Sequence, residues 1–130
     1  MSLKVLVVDD SATMRAIVSK TLKMAGLPLE EIHQAANGRE GLDVLGSQLV
    51  DLVLVDINMP EMNGMEMIER MRATPEFADV PVLVVSTEGS ETRVKELREK
   101  GAGFIQKPFS PEKLKQAVEQ LIGGNNGSNN

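Results

Sequence analysis

The sequence predicts an open α/β fold, one parallel sheet covered by helices on both faces. Two observations predict it. Short apolar runs rich in Val and Leu recur without the alternation of a strand that has one wet face. Between them lie apolar residues at helical spacing, opened by Asn-Gly pairs or closed by glycine.

The elements follow in order. Val5-Leu6-Val7-Val8 is the first strand, and Met14, Ile17, Val18, Leu22 and Ala25 form the stripe of a helix that Gly26 ends. Ile32 to Ala36 is more polar and suits an edge strand. Asn37-Gly38 opens a helix to about Leu45 before the strand Leu52-Val53-Leu54-Val55. Asn63-Gly64 opens the next helix, to about Ala73, before Val82-Leu83-Val84-Val85. A fourth helix, about Ser90 to Lys100, has Val94 and Leu97 as clear anchors, so most of its surface is solvated. After Gly101 the weaker run Phe104-Ile105 gives the last strand, and Leu114, Ala117, Val118, Leu121 and Ile122 stripe the last helix. Five strand–helix alternations imply right-handed crossovers. One domain, 1–122, accounts for the chain; the Gly/Asn-rich residues 123–130 are expected to be a disordered tail.

Composition removes several function classes. Hydrophobic residues are 42% and charged residues 25%, the balance of a soluble globular protein. The absence of cysteine excludes disulfide scaffolds, thiolate zinc sites and thiol nucleophiles. A net charge of -5 and only 2% aromatics argue against nucleic acid as a direct partner. No apolar stretch approaches the roughly 18 residues of a membrane span, and the N-terminus lacks a signal-peptide layout. A cytoplasmic, monomeric domain is expected.

The polar residues collect at strand ends. The first strand ends in Asp9-Asp10, the third in Asp56, the fourth in Ser86-Thr87 and the fifth in Lys107-Pro108. In an open α/β sheet the crevice outside the carboxyl ends of the strands binds ligands. A single Asp there is most simply a cap for the next helix; acids, hydroxyl and Lys at four strand ends are a joint pattern. Carboxylates ~5 Å apart repel by about 3 kcal/mol per pair at an effective dielectric of ~20, so the cluster must take up protons or a cation. Oxygen donors with room for water favour Mg²⁺ over Ca²⁺. Three acids, Lys107 and Mg²⁺ sum to zero charge. That suits a site receiving a phosphoryl group on a carboxylate.

With Val7-Val8-Asp9-Asp10-Ser11, the run from Val55 through Asp56, Asn58, Met59 and Pro60 to Gly64, Val85-Ser86-Thr87-Glu88 and Lys107-Pro108-Phe109, the chain resembles the receiver domains of two-component response regulators, in particular the single-domain chemotaxis type. The resemblance spans residues 3–122 and implies a flavodoxin-like sheet of order 2-1-3-4-5 with five helices. It implies Asp56 as phosphoacceptor, Asp10 as direct Mg²⁺ ligand, Asp9 acting through bound water, and the Asn58 carbonyl completing the set. It implies that Lys107 pairs with the acceptor carboxylate, Ser86 is the switch hydroxyl and Phe104 the switch aromatic. A cis Lys107–Pro108 bond follows from it, and Asn58 and Glu88 tune dephosphorylation. The partners implied are a sensor histidine kinase and a downstream protein docking on the fourth helix, fifth strand and fifth helix. Two departures stand out: Phe104 lacks the hydroxyl of the usual Tyr, and Gly89-Ser90-Glu91 lacks the basic residues of some motor regulators.

Remaining features have plainer readings. Five methionines between Met59 and Met71 fill the third helix and its loop rather than bind metal. His33, the single histidine, falls on the edge strand as an ordinary exposed side chain. The charges from Glu91 to Lys100 form a solvated, ion-paired helix face. A receiver cut from a longer regulator is the alternative to a stand-alone switch. An aspartyl-phosphatase would carry an acid where Asn58 stands, and a flavin phosphate would be repelled by Asp9-Asp10, so the chain is expected not to be an enzyme on a separate substrate.

Overall fold

The computed structural model describes residues 2–87 and 89–127, with side chains through residue 123. Five strands, β1 (Leu3–Val8), β2 (Leu29–Ala35), β3 (Leu52–Val55), β4 (Val82–Ser86) and β5 (Ala102–Gln106), alternate with helices α1 (Ala12–Met24), α2 (Gly38–Ser47), α3 (Gly64–Ala73), α4 (Glu91–Glu99) and α5 (Pro111–Gly127). The sheet is parallel, in the order β2-β1-β3-β4-β5. β1, β3 and β4 are buried along nearly their whole length, which is why their sequences run apolar without alternation.

Two cores lie on opposite faces. Leu6, Val53 and Val84 pack with Leu45 of α2, Met67, Ile68 and Met71 of α3, and Leu97 of α4. Val5, Val7, Leu54 and Leu83 pack with Val18 and Leu22 of α1 and Leu114 and Val118 of α5. Met67 and Met71 are core residues, as the plainer reading expected.

Side-chain caps start the helices where the sequence places them. Asn37 accepts from the Glu40 amide at 2.9 Å, and Asn63 and Glu66 form a reciprocal capping box. Gly26 and Gly101 adopt φ of 76° and 74° just beyond α1 and α4.

Four features add to or differ from the expected elements. β2 begins at Leu29, because its polar start pairs with Leu3 and Lys4 across a register shift. Pro75–Phe77 form a 3-10 turn. α5 continues to Gly127, five residues into the expected tail; extending an established helix adds one hydrogen bond per residue without a new nucleus. Residues 128–130 lie outside the described residues. His33 is largely covered, its side chain 23% exposed with Nε2 3.4 Å from Glu31 Oε1, because strand alternation puts it on the same face as buried Ala35.

Candidate functional site

The carboxyl ends of β1, β3, β4 and β5 bring Asp9, Asp10, Asp56, Ser86 and Lys107 to one edge of the sheet. Asp56 directly follows β3, and its amide donates to the Val8 carbonyl at 3.0 Å, while the Asp9 amide donates to the Ala35 carbonyl at 3.1 Å. The backbone ladder therefore fixes where both carboxylates emerge. Oxygens of Asp9, Asp10 and Asp56 all lie within 4.8 Å of one another.

The plain reading of the acids as helix caps fails for α1. Its cap is Ser11, whose Oγ accepts from the Met14 amide at 3.1 Å. Asp9 instead accepts from the Ser11 amide at 2.9 Å, leaving its second oxygen to the pocket.

Exposure is graded across the cluster: Asp9 is buried, Asp56 intermediate and Asp10 exposed. Lys107 Nζ stands 3.6 Å from Asp9 Oδ2, both side chains largely covered. Asp56, the expected partner, feels the same ammonium at longer range. The most buried carboxylate has most need of the cation, and Asp56 Oδ1 already accepts from the Ile57 amide at 2.8 Å. The Asp56 carboxyl is held above the usual carboxylate range. Burial raises it most, Lys107 opposes that rise, Asp9 adds to it, the Ile57 N–H opposes, and Asp10 adds a little more.

Three carboxylates and one ammonium leave the pocket two charges short of neutral. The donors are all oxygen, and Asp10 opens the cluster to solvent. This donor set fits Mg²⁺.

Ser86 ends β4, 1% exposed, and its carbonyl accepts from the Lys107 amide at 2.8 Å. The Lys107–Pro108 bond is cis, as expected. Half-buried Phe104 lines a cleft of about 290 Å³ among α4, β5 and α5, with Val94, Arg98, Ala117 and Leu121. Asn58 is exposed in the β3–α3 loop, and Glu88 lies outside the described residues.

The return of that loop requires Gly64. A Cβ there would stand 2.4 Å from the Asp56 carbonyl oxygen, and the Gly64 amide donates to the Ile57 carbonyl at 2.9 Å. Sequence reasoning missed Arg15, whose Nη1 donates to the Asp9 carbonyl at 2.6 Å and whose Nε donates to Gln34 at 3.1 Å. Its position one turn after the Ser11 cap was the available signal.

Residues 5–119 match the response regulator receiver domain. The chain belongs to that family. This receiver is 39% identical to a chemotaxis protein CheY homolog of Campylobacter jejuni over 127 residues, covering 96% of each chain. It also matches part of the sensor histidine kinase CheAY of Helicobacter pylori, 38% identical over 91% of this receiver and 15% of the kinase. The solved structure of the chemotaxis response regulator CheY4 of Vibrio cholerae superposes with a TM-score of 0.81 at 37% identity, covering 93% of this receiver and 99% of that chain. As a receiver domain the protein is a signalling phosphoacceptor with an acidic pocket, rather than an enzyme acting on a separate substrate. Among the described residues no helix is long and apolar enough to cross a membrane.

Proposed function

We propose that the protein is a cytoplasmic, monomeric phosphorylation switch of the chemotaxis type, taking its phosphoryl group from a sensor histidine kinase onto Asp56. The observation that carries this reading is the carboxyl of Asp56 at the end of the central strand, crowded by Asp9 and Asp10 and faced by Lys107. An Asp56 carboxylate oxygen attacks the phosphorus of a phosphohistidine; the P–N bond breaks, and the leaving imidazole takes up a proton. Asp9, Asp10, Asp56 and the Asn58 carbonyl would hold Mg²⁺, which supplies charge neutralisation to the transferring group when bound. Lys107 supplies a further positive charge to the phosphoryl oxygens.

Phosphate on Asp56 then draws in the Ser86 hydroxyl by a charge-assisted bond worth about 1.5–3 kcal/mol, a bias of about tenfold to hundredfold. The vacated space admits the Phe104 ring, and the α4–β5–α5 surface changes shape for a downstream protein. With no hydroxyl on Phe104, this switch works by packing. Asn58 and Glu88 orient the water that returns Asp56 to its free state.

Intact-mass analysis with acetyl phosphate tests the assignment: the protein gains one phosphoryl group only with Mg²⁺, and Asp56→Asn gains none. Full phosphorylation of that variant would refute it. The match to part of the H. pylori kinase favours a second reading, a receiver acting within a longer regulator; the size of the protein detected in cells by antibody separates the two.

A further inference from the structure

The segment leaving β4 is fastened to β5 twice. The Lys107 amide donates to the Ser86 carbonyl at 2.8 Å, one more rung of the strand ladder. Beyond that rung a side chain takes over: Gln106 Nε2 donates to the Thr87 carbonyl at 3.1 Å. The other end of the same amide fills the space before Gly89, where a Cβ would come within 2.9 Å of Gln106 Oε1. Gln106 is an exposed amide at the end of an otherwise apolar strand, AGFIQ. Water alone would satisfy it, yet its donor end is held on the Thr87 carbonyl.

The two ends of α4 are held very differently. At its C-terminal end Arg72 donates to the Lys100 and Gly101 carbonyls at 3.0 and 3.3 Å, and to those of Ala78 and Val80 at 3.0 and 2.9 Å. Lys100 also pairs with Glu69 at 3.1 Å, and Leu97 is fully buried. At the N-terminal approach, the Gln106 bond is the side-chain hydrogen bond that reaches Thr87, Gly89 or Ser90 from outside α4 among the described residues. More side-chain bonds therefore fasten the C-terminal end of α4 than its N-terminal approach.

We propose that Gln106 is a positioning residue that restrains Thr87, and through it Ser86, so that its one hydrogen bond sets how readily the switch responds. The inference rests on the function proposed above. Drawing the Ser86 hydroxyl toward a phosphoryl group on Asp56 carries the adjoining Thr87 peptide with it and lengthens the Gln106 bond. One such bond is worth a factor of about two to ten in an equilibrium, less than the bias a charge-assisted bond to phosphate supplies. Gln106 therefore trims the response without blocking it.

The test is a beryllofluoride titration at saturating Mg²⁺, followed by NMR at the Val94 methyls and the Phe104 ring, on wild type, Gln106→Met, Gly89→Ala and the double variant. Met keeps the length of Gln without its donor; the Gly89 methyl displaces the flexible amide. Each single variant is expected to lower the midpoint about twofold to tenfold, because less of the ligand's binding is spent on shifting the population. Resonances should stay on the line joining the free and saturated wild-type positions. The double variant should lower the midpoint no further than the stronger single one. Unchanged or raised midpoints for Gln106→Met, fully additive effects, or resonances leaving that line would overturn the proposal. A wild type that takes up no beryllofluoride overturns the proposed function, and this inference with it.

Discussion

Replacing Asp56 by Asn is expected to stabilise the folded protein at neutral pH in the absence of metal. The side chains are nearly isosteric, and Asn keeps an oxygen for the Ile57 amide, 2.8 Å away in the wild type. Charge is what disappears. Unit charges 4.8 Å apart, the limit of the carboxylate cluster, repel by about 1 kcal/mol at the dielectric of water and about 3.5 kcal/mol at an effective value of 20. Asp56 is only half-buried and Asp10 is exposed, so the lower figure governs that pair, and Lys107 offsets part of the rest. A net gain of about 1–2 kcal/mol remains. Its pH dependence follows from the raised Asp56 carboxyl. Between the unfolded carboxylate value near ~3.9 and the higher folded value, the folded state binds more protons, so wild-type stability falls as pH rises through that window. The advantage of Asn is complete above the folded value and gone below ~3.9. Mg²⁺ reverses the order, since wild type gains about 2.7 kcal/mol at a hundred times its dissociation constant while the variant has lost a ligand. Urea unfolding at pH 7.5 and 4, with EDTA or Mg²⁺, reads this as a midpoint difference of roughly 0.5–1 M. Equal midpoints at pH 7.5 in EDTA, or a gap that widens as pH falls, would refute the reasoning.

Gly64→Ala places a methyl 2.4 Å from the Asp56 carbonyl oxygen, so a loss of about 3 kcal/mol in urea unfolding and weaker Mg²⁺ binding are expected together. Glu61, at φ 64°, occupies a left-handed conformation costing a non-glycine residue about 1 kcal/mol. Glu61→Gly should therefore raise the urea midpoint, and a fall would count against strain there. Arg72→Met leaves four carbonyls without their donor and should cost about 2–4 kcal/mol. A loss under about 1 kcal/mol would mean that water replaces the guanidinium.

The parts of the site visible in the sequence are those tied to strand ends. Val7-Val8-Asp9-Asp10 and Leu54-Val55-Asp56 each announce both the end of a buried strand and the polar group it delivers, so local composition carried the geometry. Asn37 and Asn63 were equally legible, because a cap is a contact between residues three apart. The residues that escaped are long side chains reaching backbone carbonyls far along the chain. Arg72 meets Lys100 across 28 positions, and Gln106 meets Thr87 across 19. No periodicity marks such a pair, since only the packing of α3 against α4, or of β4 against β5, brings its members together. Ile17 shows the same limit from the apolar side. Its spacing fits the α1 stripe, yet it is 50% exposed, because it lines an open crevice with Lys107, Pro108 and Phe109 rather than the core.

The function proposed above assigns the reaction to Asp56, and the grading of the three carboxylates supports that choice. Asp9, the most buried, gives one oxygen to the Ser11 amide and lies closest to Lys107, so its charge is compensated within the protein. Asp10, the most exposed, is open to solvent. Asp56 sits between these limits. It is buried enough to be destabilised as an anion, held by one N–H, and pressed by both neighbours. A carboxylate in that position loses repulsion and desolvation when its charge is screened by a divalent cation or spread over a phosphoryl group. The deficit in folding stability and the reactivity therefore have one origin. Asp56→Asn is expected to relieve the first and abolish the second.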